Sequence, residues 1–344
     1  MKAQVVVIAG GAGYIGSHMV RMAQDSGYQT VVVDNLATGH ADAVHADAIL
    51  RMGQIGDAGF MRQVLREFEP CCVMHFAAAS LVGESMVAPA KYWQNNLVQT
   101  LSLLDTMHEC GVDQFIFSST AAVYGDPHQV PMTESHPRLP INPYGKSKLA
   151  VEDALADYSR AYGLRYTTFR YFNAAGAHPD GSLGERHDPE THLIPLVLQV
   201  ASGRREAIGR FGNDFDTHDG SCIRDYVHVQ DLSAAHLLAL HRLGAGGDSA
   251  IYNLGNGAGH SVTEVIEAAR RVTGHPIPVR DDPRRAGDPP VLVANAARAR
   301  AELGWQPQYP DIDTIIAHAW QWETSMQQAP TAAPDGPVQR SEPA

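Results

Sequence analysis

Tyr144 and Lys148 stand four residues apart in the segment Pro143-Tyr144-Gly145-Lys146-Ser147-Lys148. On a helix that spacing puts both side chains on one face. An ammonium beside a phenol stabilises the phenolate and draws its pKa down from about 10, which makes Tyr144 a candidate general base. An ordinary surface pair has the same spacing, so the pattern needs a second feature. Phe117-Ser118-Ser119-Thr120 closes a predicted strand upstream. Open parallel sheets bind their ligands at the carboxyl edge of the strands. A Thr120 hydroxyl at that edge can bond the same substrate oxygen that Tyr144 deprotonates. Ser118 and Ser119 are expected to serve the backbone and a cofactor.

A second chemical element opens the chain. Gly10, Gly13 and Gly16 are spaced G-x-x-G-x-x-G. One glycine permits a sharp turn, one lets a pyrophosphate approach the backbone, and one lets a helix pack on a strand. The free amides at the helix start would face the phosphates. The pattern follows a predicted strand and opens a predicted helix, which is the context it requires. The next strand ends at Asp34. A carboxylate there accepts hydrogen bonds from ribose hydroxyls and repels a 2′-phosphate, which favours NAD over NADP.

The elements that must position these residues alternate. Gln4 to Ala9 is an apolar strand of the kind buried on both faces. Helices are predicted over Tyr14 to Asp25, Phe60 to Phe68, Lys91 to Glu109 and Tyr144 to Tyr162. Strands fall at Thr30 to Val33, Cys71 to Phe76, Gln114 to Phe117 and Tyr166 to Phe169. This predicts an α/β fold: a doubly wound, Rossmann-type parallel sheet over 1–173. A smaller mixed α/β substrate lobe is expected over 174–326, with a strand and helix near 225–255 returning to the first domain. Within it, helices are expected at Leu193 to Ser202 and Val229 to Arg242, and loops at His178 to Glu190 and Asp281 to Pro290. The stretch 327–344 lacks hydrophobic periodicity and reads as a disordered tail.

Composition narrows the partners. Lysine plus arginine number 26 against 38 for aspartate plus glutamate, a formal net charge of −12. That argues against nonspecific nucleic-acid binding and anionic membrane surfaces. No apolar run is long enough to span a bilayer, and the N-terminus lacks a signal-peptide series. The four cysteines show no metal or disulfide spacing, so a reducing, cytoplasmic setting is expected. His192 and His228 are the tempting metal ligands, but no carboxylate or cysteine cluster in the sequence supports them, so no metal is expected.

Taken together, the segments GGAGYIGSH, VVDNL, HFAA…VGES, FSSTAAVYG, PYGKSK, RYFNAAGAHPDG, GND, RDYVHV, YNLG and PRRAGD resemble the extended short-chain dehydrogenase/reductase family. Within it they are similar to the UDP-glucose 4-epimerases, over a match that runs to about residue 320. The resemblance implies NAD-dependent 4-epimerisation of a UDP-hexose through a transient 4-keto sugar. It implies that Thr120, Tyr144 and Lys148 are catalytic. It places Tyr14 and Ile15 on the cofactor pyrophosphate and Asp34, Asn35, Gln54 and Ile55 about its adenosine half. Phe76, Ala77, Ala78, Asn95 and Phe172 would line the cofactor pocket. Asn173 and Leu193 would touch the nucleotide sugar, and Phe211, Arg224, Arg285 and Asp288 would hold uracil, ribose and diphosphate. The guanidinium forks suit diphosphate oxygens in their own right.

Four positions depart from the family pattern. Thr120 stands where serine is often found, Gln54 where an aspartate commonly meets adenine, and Ser80 where a lysine often lies near the cofactor. Leu292 occupies a position that gates N-acetylated sugars. Ala121 and Ala122 follow Thr120 where dehydrating relatives carry a carboxylate, which disfavours that chemistry. The rivals are a 4-epimerase of a UDP-N-acetylhexosamine, UDP-pentose or UDP-uronate, and a non-catalytic NAD-binding regulator. The family also implies a homodimer paired through the helices at Lys91 to Glu109 and Lys148 to Tyr162.

Overall fold

The computed structural model describes residues 3–285 and 288–328. Most of the predicted 327–344 tail lies outside those residues. In chain order the first half carries β1 (Val5–Ala9), α1 (Tyr14–Asp25), β2 (Gln29–Asp34), β3 (Ile49–Met52), α2 (Ala58–Phe68), β4 (Cys72–His75), α3 (Val82–Val87) and α4 (Pro89–Tyr92). A π-helical stretch, Trp93–Val98, leads into α5 (Gln99–Glu109), followed by β5 (Gln114–Thr120), α6 (Pro143–Tyr162) and β6 (Arg165–Tyr171). The second half carries β7 (Asn173–Ala175), α7 (Leu193–Ala201), β8 (Ile208–Phe211), β9 (Ile223–His228), α8 (Val229–Gly244), β10 (Ala250–Leu254) and β11 (Gly259–Ser261). It ends with α9 (Val262–Thr273), β12 (Val279–Asp282), β13 (Val291–Leu292), α10 (Ala297–Leu303) and α11 (Ile312–Gln328).

Seven strands form one sheet in the order β10-β6-β5-β4-β1-β2-β3, with every neighbour parallel. The period of two along a strand sends alternate residues to opposite faces. Val6 and Ile8 of β1 enter one core with Met19 of α1, Leu232 of α8 and Leu303 of α10. Val5, Val7 and Ala9 enter the other, against Val64 of α2, Leu103 of α5 and Leu155 of α6. The chain order reverses between β1 and β4, and that crevice at the carboxyl edge is where doubly wound sheets bind ligands.

The predicted helix over Lys91 to Glu109 is continuous but not uniformly α. Its first turns widen into the π-helical stretch at Trp93–Val98. β3 escaped the sequence reading: it is four residues long, only partly buried and pairs on one side alone, with β2.

In the second half, α8 and β10 join the large sheet. β9 instead pairs with β7, β11 and β13 in a small sheet, and β8 pairs with β12. The segment predicted as a loop from Asp281 therefore begins inside β12. A third core packs α7, α9 and α11 through Val197, Ile266 and Ile316. No described helix is long and apolar enough to cross a membrane.

Candidate active site

The three glycines do different work. Gly10 takes φ +80 and donates its amide to the Val33 carbonyl at 2.8 Å, while a Cβ on it would lie 2.4 Å from the Ala77 nitrogen. Gly16 packs α1 onto the loop: a Cβ there would stand 2.1 Å from the Gly10 oxygen. Gly13 is different, because its Cβ would meet nothing nearer than that same oxygen at 3.4 Å. Its outer face is a cradle a side chain would fill. Gly13 also caps α1 with no side-chain hydrogen bond, so the leading amides of the helix face outward as an anion site. Asp34 is nearly buried and accepts Ala12 N–H at 3.0 Å and Leu36 N–H at 2.8 Å. Each carboxylate oxygen keeps a lone pair for a ribose hydroxyl. Asn35 and Gln54 join at 3.2 Å above buried Ile55. These residues fit the pyrophosphate and adenosine half of NAD.

Tyr14 qualifies the sequence expectation. Only its main chain belongs to the phosphate loop. Its phenol turns away and donates to the Gly176 carbonyl at 2.6 Å. Ile15 likewise packs its side chain against the first core. Phe76 and Ala77 continue from β4, their amides on the Ala9 carbonyl, and Ala78 follows. The Phe76 ring packs on His236 at 4.8 Å. Asn95 lies in the π-helical stretch and donates to Asn96. Asn96 itself was missed. Its amide grips both the N–H and the carbonyl of Ala79 at 2.9 Å and donates to Ser147 Oγ, tying the segment after β4 to α6. A polar Asn95-Asn96 pair inside an otherwise amphipathic helix was the available signal.

Tyr144 is set by the start of α6. Asn142 caps the helix through Oδ1 on Gly145 N–H at 2.8 Å, and Pro143 takes the first turn, where it needs no donor. Gly145 then allows a close approach, since a Cβ would stand 2.4 Å from the Ala122 carbonyl. That contact brings the first turn of α6 against the end of β5. The Thr120 hydroxyl accepts Ala122 N–H at 3.1 Å and lies close enough to the Tyr144 phenol to act on its titration. Lys148, one turn on, is 2% exposed, donates to the Ser118 carbonyl at 2.9 Å and lies 4.8 Å from the Phe117 ring.

The electrostatics correct one expectation. Burial pushes the Tyr144 phenol up, and the Thr120 hydroxyl is what draws it down. Burial lowers Lys148 itself to about 7, against the pull of the Glu152 carboxylate. Glu152 anchors a buried network: it accepts from Ser119 Oγ and pairs with Arg170, which reaches the Tyr124 hydroxyl at 3.1 Å. Tyr124 in turn donates to Asn253. Ser119 thus serves Glu152, and the Ser118 backbone serves Lys148.

The lobe supplies the second wall. Asn173 opens β7, with its amide on the Asp225 carbonyl at 3.1 Å, and Leu193 begins α7. The Arg285 guanidinium lies 3.8 Å from the Phe211 ring. Arg224 is held by the Pro289 carbonyl at 2.9 Å and by Asp288 at 3.5 Å. Arg224, Asp288 and Arg285 all act electrostatically on Cys222. Leu292 and Phe172 pack together with Ala121 and Leu149 around Val123, Tyr124 and Met132, beside the Thr120 edge.

One premise of the metal reading changes. Carboxylates do gather at His192: Glu185, His187, Glu190 and His192 bring one ligand atom each to within 4.8 Å of one another. His228 is not among them and pairs with His318 at 3.0 Å.

Residues 6–255 match the NAD dependent epimerase/dehydratase family. The UDP-glucose 4-epimerase of Halalkalibacterium halodurans is 51% identical over 317 residues, covering 92% of this chain and 95% of that protein. A crystal structure of a UDP-glucose 4-epimerase superposes with TM-score 0.92 at 53% identity, covering 96% of this chain and 100% of that one. The UDP-glucose 4-epimerase of Brucella ovis in complex with NAD superposes with TM-score 0.90 at 47% identity, covering 93% and 99%. The chain belongs to the NAD dependent epimerase/dehydratase family, and within it to the UDP-glucose 4-epimerases.

Proposed function

We propose that the chain interconverts UDP-glucose and UDP-galactose by NAD-dependent epimerisation at C4. The observation that carries this reading is the approach of the first turn of α6, which bears Tyr144 and Lys148, to the Thr120 end of β5, with Gly145 against the Ala122 carbonyl and Lys148 on the Ser118 carbonyl. When bound, NAD supplies a reversible hydride acceptor and a positively charged ring beside the phenol. Tyr144 takes the O4 proton, and Thr120 holds that oxygen in line. Lys148, fixed on the Ser118 carbonyl, contributes positive charge next to the phenol. Phe211, Arg224, Arg285 and Asp288 grip the UDP moiety through stacking and charge-assisted hydrogen bonds. Asn173 and Leu193 meet the sugar more loosely, so the 4-keto sugar can turn about its diphosphate link. Tyr144 then returns the proton to O4, while the turned sugar would present the opposite face of C4 for the hydride to return.

Exposed Trp93, Val98 and Tyr162 lie on the segments expected to pair two subunits and support a homodimer. Four free cysteines support a cytoplasmic setting.

The test is to mix the purified chain with UDP-galactose and no added cofactor, then follow UDP-glucose with a coupled dehydrogenase. Turnover is expected in wild type. Tyr144→Phe is expected to lose about 10²- to 10⁴-fold in kcat, the usual worth of a positioned acid–base group, while keeping its nucleotide. Undiminished turnover in that variant would refute the role given to the phenol.

A further inference from the structure

We propose that Glu185, His187, Glu190 and His192 form a site for one divalent transition-metal ion, with zinc the best match to the donors. The site would clasp the segment 176–192 over the start of α1. Two imidazole nitrogens and two carboxylate oxygens already stand within 4.8 Å of one another. Tetrahedral zinc with bonds of about 2.0–2.2 Å needs its ligands about 3.4 Å apart, a closure that side-chain rotation supplies. The mixed nitrogen and oxygen set suits zinc and its first-row neighbours better than magnesium or calcium, which favour oxygen alone.

The Glu185 and Glu190 side chains are only 5% and 7% exposed. Among the described residues neither pairs with a lysine or arginine. The neighbouring Arg186 turns instead to Asp42. Two carboxylates drawn out of water side by side need positive charge, which here falls to His187 and His192, the latter with Nδ1 hydrogen-bonded to Glu185; a bound metal ion would displace those ring protons. His187 Nδ1 lies 3.1 Å from Glu185 and 3.7 Å from Glu190, yet it is a buried atom with no well-directed hydrogen bond.

Outer contacts hold the donors in place. Glu190 Oε1 accepts Thr191 N–H at 2.7 Å and His192 N–H at 2.8 Å. The Trp322 indole donates to the Glu185 carbonyl at 2.9 Å. Along the same segment Gly184 and Arg186 point the other way, lining a cavity of about 170 Å³ with Ala12, Gly13 and Tyr14. The segment is further tied to α1 by the Tyr14 phenol on Gly176 and runs directly into Leu193. A bound ion therefore fastens the segment shared by the phosphate loop and the substrate lobe. It lies outside the reacting group and has no part in proton transfer.

The full-length chain is stripped with EDTA, offered zinc chloride, desalted and analysed for metal by mass spectrometry. One zinc per chain is expected, falling below a tenth of that in His187→Gln/His192→Gln with an unchanged circular dichroism spectrum. No retained zinc in wild type, or equal zinc in the double variant, overturns the site. If the double variant fails to fold, cobalt(II) added to wild type decides. Intense visible bands of four-coordinate cobalt support the site, and the weak spectrum of hydrated cobalt overturns it. Retention of calcium or magnesium in preference to zinc overturns the donor reasoning.

Discussion

Replacing Lys148 by methionine is expected to stabilise the folded chain while removing its activity. Lys148 is buried, and desolvation holds its folded-state pKa at about 7, against about 10.4 for a free lysine. The unfolded chain therefore binds more protons between those values, and stability rises with pH across that window. Below pH 7 the whole penalty is present, and above pH 10.4 it is gone. Linkage puts the penalty at about 4 kcal/mol at pH 7 and about 1 kcal/mol at pH 9.5. Methionine removes it but also loses the hydrogen bond to the Ser118 carbonyl, worth about 1–2 kcal/mol. The net gain at pH 7 is about 2–3 kcal/mol, and the advantage shrinks by about 3 kcal/mol at pH 9.5. Urea unfolding of nucleotide-free wild type and variant at both pH values measures this double difference, in which all other titrating groups cancel. An equal stability gap at the two pH values would show that Lys148 does not bear a buried charge, and the desolvation reasoning would fall.

Two further perturbations probe the scaffold. Gly16→Ala drives a Cβ to 2.1 Å from a backbone oxygen, so little folded, nucleotide-bearing protein is expected. Gly13→Ala meets only a 3.4 Å contact, so it is expected to keep its melting temperature and lose nucleotide affinity. Melts and bound-NAD content separate the two, and similar behaviour would remove the cradle from Gly13. Glu152→Gln strands Arg170, which is 2% exposed with its partner at 0%; a loss of about 3–5 kcal/mol in urea unfolding is expected. A loss under about 1 kcal/mol, the range of exposed pairs, would mean that Tyr124 and the Glu134 carbonyl suffice for Arg170.

The sheet was legible where the sequence obeys one strong local rule. Val5 to Ile8 is apolar throughout because β1 is covered on both faces. α1 runs from Tyr14 to Asp25 as read, because Gly13 and Gly27 bracket an amphipathic run. The lobe was less legible. β8, β9 and β13 are short, and their pairings join segments far apart in sequence, which no local period encodes. Tyr144, Thr120 and Lys148 were legible as candidates at one strand edge. The direction of their shifts was not, since burial raises the phenol and lowers the ammonium, and only the fold sets burial. The Glu185 to His192 cluster escaped because its spacing fits no helix face. Its donors converge only through the path of the segment after β7.

Asp34 bears on any attempt to re-engineer coenzyme preference. Its two oxygens hold the Ala12 and Leu36 amides as well as the space for a ribose. A smaller neutral residue would admit a 2′-phosphate, but it would also release both amides and loosen the turn that carries Gly13. Selectivity against the phosphorylated coenzyme is thus welded to the integrity of the loop. Switching it calls for new acceptors for those two amides before any new arginine is added.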